Sequence, residues 1–315
     1  AAATAAVAPS WHLVVIARFV WGLGAAGPRS LSMAMIRDRH EGDTMARLMS
    51  MIMAVFMLVP VLAPGVGAGL IAVFPWRAVF WLPAIAAVLL MLWSRRLPET
   101  LQPANRRPFT WRAVAEAGKE VVTHRQTMAL TIAMTFLTAI MTAYLGGSEV
   151  ILEDVFGYGA WFPLFFGAIA VLLAANSFSN ALLVCRFGAV GLVRRASVVG
   201  IVVAIGLTAV SFTSGGHPSF WLFAVVLCVA VPIAQGLAPT CNAIAMTPVP
   251  HVAGTASSII ATVTSAGGAL LGGLAASSFD GTVRPFALHY LAYMTIAMCF
   301  VWWGTATRAS TSQPH

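Results

Sequence analysis

Arg18 stands inside an apolar run, Val14-Val15-Ile16-Ala17-Arg18-Phe19-Val20. A guanidinium that deep in a bilayer costs about 2.5–3.5 kcal/mol or more unless it is paired or hydrated. It therefore either faces a polar cavity, where it can answer the protonation of a carboxylate, or snorkels to the surface on its long stem. Arg29 lies nearer the end of the same run and snorkels more easily. Thr131, Thr135, Thr138 and Thr142 fall at i, i+4, i+7 and i+11, on one helical face that Glu149 continues. Aligned hydroxyls can line a polar path and a carboxylate can guard its mouth. Threonine also bonds its own helix and packs between helices, and Glu149 can be merely solvated. Gln235, Pro239 and Asn242 share another face, as do Asn176 and Asn180 one turn apart. Amides in an apolar run need partners, so they mark helix–helix contacts or a substrate surface. We read Asn176 and Asn180 as the former, Gln235 and Asn242 as the latter.

Enzymatic chemistry has little to work with. Cys185, Cys228, Cys241 and Cys299 are far apart, and His12, His217, His251 and His289 sit at run ends without a second ligand. No metal site, cofactor or catalytic residue is expected, and no phosphate-cradling or nucleophile motif occurs. Methionines 45, 49, 51, 53 and 57 crowd one stretch, where flexible thioethers suit either ordinary packing or a surface that accepts many shapes.

What must position these residues is a bundle of membrane helices. The 315 residues are 59% hydrophobic and 9% charged, with a mean hydropathy of +0.87; soluble domains carry about 25% charge. Apolar runs of spanning length cover 12–36, 45–72, 75–94, 127–147, 160–184, 195–213, 219–246, 253–278 and 285–306. The expectation is an all-α polytopic membrane protein. Its net charge of +8 does not point to nucleic acid. Fourteen Lys and Arg fall in one set of alternating connections, while the other set holds only Arg77 and Arg284. The basic side should be cytoplasmic, the C-terminus included.

Residues 95–125 break the pattern. Pro98, Pro103 and Pro108 keep the chain extended, and Trp111, Val114, Ala115, Gly118, Val121 and Val122 then recur at helical spacing opposite Arg112, Glu116, Lys119 and Glu120. This is a linker with an amphipathic helix lying on the membrane or on the protein's inner surface. It separates spans in 1–94 from spans in 126–308, with a tail at 309–315. A shift of 211 residues aligns Pro28 with Pro239, Ala34 with Ala245, Met35 with Met246, His40 with His251 and Thr44 with Thr255. The repeat pairs the first three spans with the last three. It leaves the middle three without partners, so three further spans are expected to precede Ala1, making twelve in two six-helix halves.

Arg18-Phe19-Val20-Trp21-Gly22-Leu23-Gly24-Ala25-Ala26 resembles the RxxQGxGAA motif in the fourth helix of major facilitator drug:proton antiporters, with Trp21 in the place of glutamine. Ala63-Pro64-Gly65-Val66-Gly67-Ala68 is similar to their fifth-helix antiporter motif, in the form used by the Bcr/CflA drug-resistance branch, with Ala68 for its last glycine. Arg37-Asp38 with Glu41-Gly42 resembles that branch's RDxxEG loop. Trp76-Arg77-Ala78-Val79-Phe80 matches its WRxxF, and Ala253-Gly254-Thr255-Ala256-Ser257 its AGxAS. The resemblance implies the major facilitator fold with nine of twelve spans present, in a bacterial inner or plasma membrane and acting as a monomer. It implies export of small amphipathic compounds or drugs against proton entry, with uptake of a nutrient or metabolite as the alternative. Arg18 and Asp38 would couple protons. Thr131, Thr135, Thr138, Thr142, Glu149, Gln235 and Asn242 would face substrate, and Pro64, Gly65 and Gly67 would form the antiporter helix. The proton-binding carboxylate is expected upstream of Ala1.

Overall fold

The computed structural model describes residues 1–39, 42–96, 110–249 and 252–306. It divides into two compact units, Ala1–Pro108 and Phe109–His315. All nine apolar runs are helices, and the described residues contain no strand.

The first unit holds α1 (Ala2–Val7), α2 (Trp11–Arg39), α3 (Gly42–Val73) and α4 (Ala78–Ser94). Helix α1 has no counterpart in the sequence reading. It is six residues of small side chains, and Ala5 and Ala6 are fully buried against α2 and α4. Side chains this small allow the close backbone approach that favours packing in an apolar medium. Val14, Ala17 and Phe80 complete this core. Pro75 and the Trp76-Arg77 turn end α3 and start α4, the Ala78 amide donating to the Pro75 carbonyl. Gly65–Val73 and Ala78–Ser94 meet there at 116°.

The second unit holds α5 (Trp111–Thr123), α6 (Arg125–Val150), α7 (Phe162–Phe187), α8 (Ala189–Thr213), α9 (Phe220–Met246), α10 (Ala253–Ser277) and α11 (Arg284–Thr305). A π-helical turn, Ile151–Val155, extends α6. Six helices among the described residues have the length and apolarity to cross a bilayer, all in this unit; Gly65–Val73 with Ala78–Ser94 together form one further candidate. Helix α6 is the axis, packed against α9, α10 and α11. Helix α7 lies outside, with Leu164, Phe178 and Leu182 exposed. These exposed apolar side chains are what hydrocarbon demands of a helix exterior.

Helix α5 settles on the protein. Its Val121 is buried, and a Cβ on Gly118 would sit 3.8 Å from Ile259 of α10. Its outward face carries the Arg112–Glu116 pair at 2.9 Å, worth about 0.3–0.5 kcal/mol at such exposure.

One end of the unit gathers the start of α6, the α7–α8 turn, the end of α9 and the end of α11. Arg125 donates to the Ala306 carbonyl, and Gln126 Nε2 to the Ile244 carbonyl at 2.7 Å. Arg194 caps α11 through the Thr305 carbonyl at 2.8 Å and hydroxyl at 2.9 Å. The basic residues Arg112, Lys119, Arg125, Arg186, Arg194 and Arg195 belong to this end, together with Glu116 and Glu120. Glu149, Glu153, Asp154 and Asp280 belong to the other.

At that other end two loops lock together. Gly216 adopts a φ of +95°, and a Cβ there would stand 2.7 Å from the Thr282 Cβ. Its carbonyl accepts the Val283 amide at 3.1 Å. The Thr282 hydroxyl donates to Asp280 Oδ1 at 2.7 Å, and its backbone N–H at 2.9 Å. The hydroxyl bond above all, with the backbone bonds and Arg284 nearby, holds the Asp280 carboxyl below its ordinary range. A carboxyl lowered by folding stabilises the fold above its unfolded value and loses that contribution as pH falls through the lowered one. Thr282→Val should therefore move the Asp280 titration up towards about 3.9 and flatten the acid dependence of unfolding below that pH. Carboxyl NMR titration and thermal unfolding between acid and neutral pH measure both.

Candidate functional site

Arg18 lies seven residues into α2, about 10 Å from its start at 1.5 Å per residue. It is exposed within its unit. The guanidinium carbon stands 5.0 Å from the Phe80 ring centroid and 5.8 Å from that of Trp21. Trp21 and Phe80 are 6.5 Å apart, and Trp76 meets Phe80 edge-on at 5.9 Å. Arg77 in turn lies 4.6 Å from the Trp76 ring. The cation is thus held by π-faces, an attraction of about 0.5–1 kcal/mol when exposed and about 2 when desolvated. One turn separates Arg18 from Trp21, so the helix period brings them together; Phe80 comes from α4 and needs the fold. The sequence signal was present in Trp21, the indole standing where the resembled motif has an amide.

The threonine stripe forms the seam between α6 and α10. The Thr131 hydroxyl donates to the Thr127 carbonyl at 2.7 Å, Thr135 to Thr131 at 2.9 Å and Thr142 to Thr138 at 3.1 Å. Thr131 and Thr135 are buried. On α10, Cβ atoms added to Gly267, Gly268 and Gly272 would fall 2.6, 2.6 and 2.4 Å from the side chains of Thr135, Thr138 and Thr142. The hydroxyls of Thr131, Thr135 and Thr142 are spent on their own helix, and the methyl-bearing carbons of Thr135, Thr138 and Thr142 fill the glycine groove. This is the packing alternative of the two readings. Glu149 does not join the seam; it is exposed at the far end of α6, beside Glu153 and Asp154.

Helix α9 carries the open polar face. Pro232 and Pro239 each remove a backbone donor, and neighbouring side chains brace the helix around them. Asn176 Nδ2 donates to the Pro232 carbonyl at 2.8 Å. Asn180 Nδ2 donates to the Gly236 carbonyl at 2.6 Å and the Thr240 hydroxyl at 3.0 Å. The Tyr290 hydroxyl reaches the Ala230 carbonyl at 2.7 Å. A Cβ on Gly236 would stand 2.2 Å from Asn176 Nδ2, so a larger residue there would displace the amide from the Pro232 carbonyl. The asparagine pair is glue between α7 and α9. Gln235 is half-buried and donates to the Leu137 carbonyl of α6 at 3.1 Å, while Pro239 and Asn242 are exposed along the same face.

Gly65 and Gly67 are helical, and Cβ atoms there would meet nothing within 4 Å. The side chains of Asp38 and Pro64 lie outside the described residues. The structure thus brings Arg18 together with aromatic rings, and Gln235 with α6. It does not bring the threonine stripe together with Glu149 or Asn242. Sequence reasoning passed over Tyr144 and Ser148, one turn apart on α6, whose hydroxyls are buried with no hydrogen-bond partner.

Comparison with known proteins agrees with this architecture. A family model described as the Major Facilitator Superfamily matches residues 1–273. A bicyclomycin resistance protein homolog of Haemophilus influenzae is 28% identical over 283 residues, covering 89% of this chain and 70% of the relative. An uncharacterized MFS-type transporter, YdgK of Bacillus subtilis, is 27% identical over 264 residues, covering 81% of this chain and 64% of the relative. The multidrug resistance protein MdtL of Salmonella heidelberg is 28% identical over 146 residues, 46% of this chain and 37% of the relative.

Proposed function

Because this chain belongs to the major facilitator superfamily, a family of transporters rather than enzymes, we propose that it exports small amphipathic compounds or drugs in exchange for protons. The observation that carries this reading is Arg18. It is a cation in an apolar helix with no carboxylate partner among the described residues, resting on rings that leave its charge unneutralised. Such a group is costly, and its expense is explained if its pairing changes during a transport cycle. The names of the relatives support the substrate class, two of them referring to resistance.

In the proposed cycle two halves alternate access around a central site. Helices α2, α3 and α4 are spans of one half and α6 to α11 the spans of the other. A carboxylate outside α2 takes up a proton and releases its hold on Arg18, and Asp38 serves the same coupling from the last turn of α2. Substrate slides on the face of Gln235 and Asn242, which is polar, braced and open. Thr131, Thr135, Thr138 and Thr142 keep α6 against α10 while the helices tilt, and Glu149 guards the outer mouth. Pro64, Gly65 and Gly67 present a smooth helix surface on α3. The basic end, with the C-terminus, faces the cytoplasm of a bacterial cell, and the protein acts as a monomer.

Everted membrane vesicles test the direction. With a proton gradient imposed, ethidium should accumulate in vesicles carrying the protein, and a protonophore should abolish the accumulation. Dye flux that ignores the gradient would overturn the coupling. Whole cells that concentrate a substrate instead of excluding it would favour the uptake alternative.

A further inference from the structure

We propose that the α7–α8 turn binds the phosphate headgroup of an anionic phospholipid. Arg186, in the last turn of α7, and Arg195, two turns into α8, converge on one side chain. Their guanidinium carbons lie 5.4 Å and 4.4 Å from the ring centroid of Phe187. Those distances put the two cations within about one Debye length of each other at 0.1 M salt. Like charges repel at that range, and neither has a carboxylate partner among the described residues. Arg194, the neighbour in sequence, is already occupied by Thr305 and the Trp302 ring. Two planar fork donors therefore stand exposed, oriented by a shared ring, with no counter-ion from the described residues. A phosphodiester oxygen pair is the anion such forks fit best.

The surroundings choose a lipid over free phosphate. Leu182 and Leu183 of α7, and Val198 and Val202 of α8, are exposed apolar residues on the membrane-spanning stretches below the turn. A headgroup at the arginines would lay its acyl chains along these side chains. Gly188, at a φ of 69°, joins the two helices with no intervening loop to cover the site.

The test reconstitutes the full chain in nanodiscs of phosphatidylcholine, with and without phosphatidylglycerol, and reads retained lipid by native mass spectrometry and the midpoint of thermal unfolding. Phosphatidylglycerol should be retained and should raise the midpoint. The double variant Arg186→Gln, Arg195→Gln should bind it about thirtyfold more weakly, at roughly fivefold per basic residue near an anionic surface, and lose the rise. Arg112→Gln, a charge removed from the same end of the unit, should keep both. An equal rise in wild type and double variant, or no rise in wild type, would overturn the site. So would the same rise with inorganic phosphate in place of the lipid. Both arginines are exposed, so the double variant should fold, and its midpoint in phosphatidylcholine alone verifies that.

Discussion

Arg18→Ala is expected to reduce proton-driven dye export in everted vesicles to the level of empty vesicles while the protein remains folded. The two halves of that expectation rest on different observations. Arg18 is exposed in its unit and its guanidinium, among the described residues, rests on the faces of Trp21 and Phe80. Losing those contacts costs about 0.5–2 kcal/mol, and the core of Ala5, Ala6, Val14, Ala17 and Phe80 stays intact. What disappears is the fixed positive charge on which coupling is proposed to depend. Arg18→Lys keeps the charge but replaces a planar, weakly hydrated cation by a compact and strongly hydrated one. It should retain part of the activity. Export by Arg18→Ala at the wild-type rate would remove Arg18 from the mechanism, and a collapsed size-exclusion profile would show that its role is structural.

The largest effect on stability is expected from Gly272→Ala. A Cβ there would stand 2.4 Å from the Thr142 Cβ, 2.7 Å from the Ala139 carbonyl oxygen and 2.9 Å from the Ala143 nitrogen. Two of the three obstacles are backbone atoms of α6, which no rotamer change can move. The two helices must separate, and overpacking of this kind costs about 1–3 kcal/mol or more. Two comparisons isolate the cause. Gly206→Ala, in α8, meets nothing within 4 Å, and should gain up to about 1 kcal/mol in helix propensity. Gly200→Ala meets the Met294 methyl at 2.1 Å, but that is the end of a flexible side chain and can swing away. Thermal unfolding in detergent should rank the three as Gly206→Ala, Gly200→Ala, Gly272→Ala, from most to least stable. Equal midpoints would dissolve the seam between α6 and α10.

The threonine stripe shows why part of the site was not legible in the sequence. Four threonines at helical spacing look the same whether their hydroxyls face a cavity or their own helix. The partner decides, and the partner is a glycine run more than a hundred residues away. A glycine run alone does not settle it, since Gly267, Gly268 and Gly272 on α10 form one and Gly65 and Gly67 on α3 another. The first fills with Thr135, Thr138 and Thr142; the second meets no side chain among the described residues of its unit. The asparagine pair was easier to read, because an amide in an apolar span must find an acceptor, and a proline-broken helix offers them. Helix α1 was missed because Ala1 to Ala8 carry neither amphipathic period nor spanning length. Only burial against α2 and α4 makes a helix of six residues worth forming.

The sequence by itself determined that this is a helical membrane protein, where its apolar helices run, and to which family it belongs. Those properties follow from what each segment must do alone: a helix in hydrocarbon satisfies its own backbone, so hydropathy and length are enough. Only the tertiary structure decided which polar face is spent on packing and which stays open. It seated Arg18 on aromatic rings from two helices and turned the threonine stripe inward against glycine. It left Gln235 and Asn242 on a braced, accessible face. In a solvent without water every polar group seeks a protein partner, and the partner's position is set by how helices pack rather than by what any one of them contains.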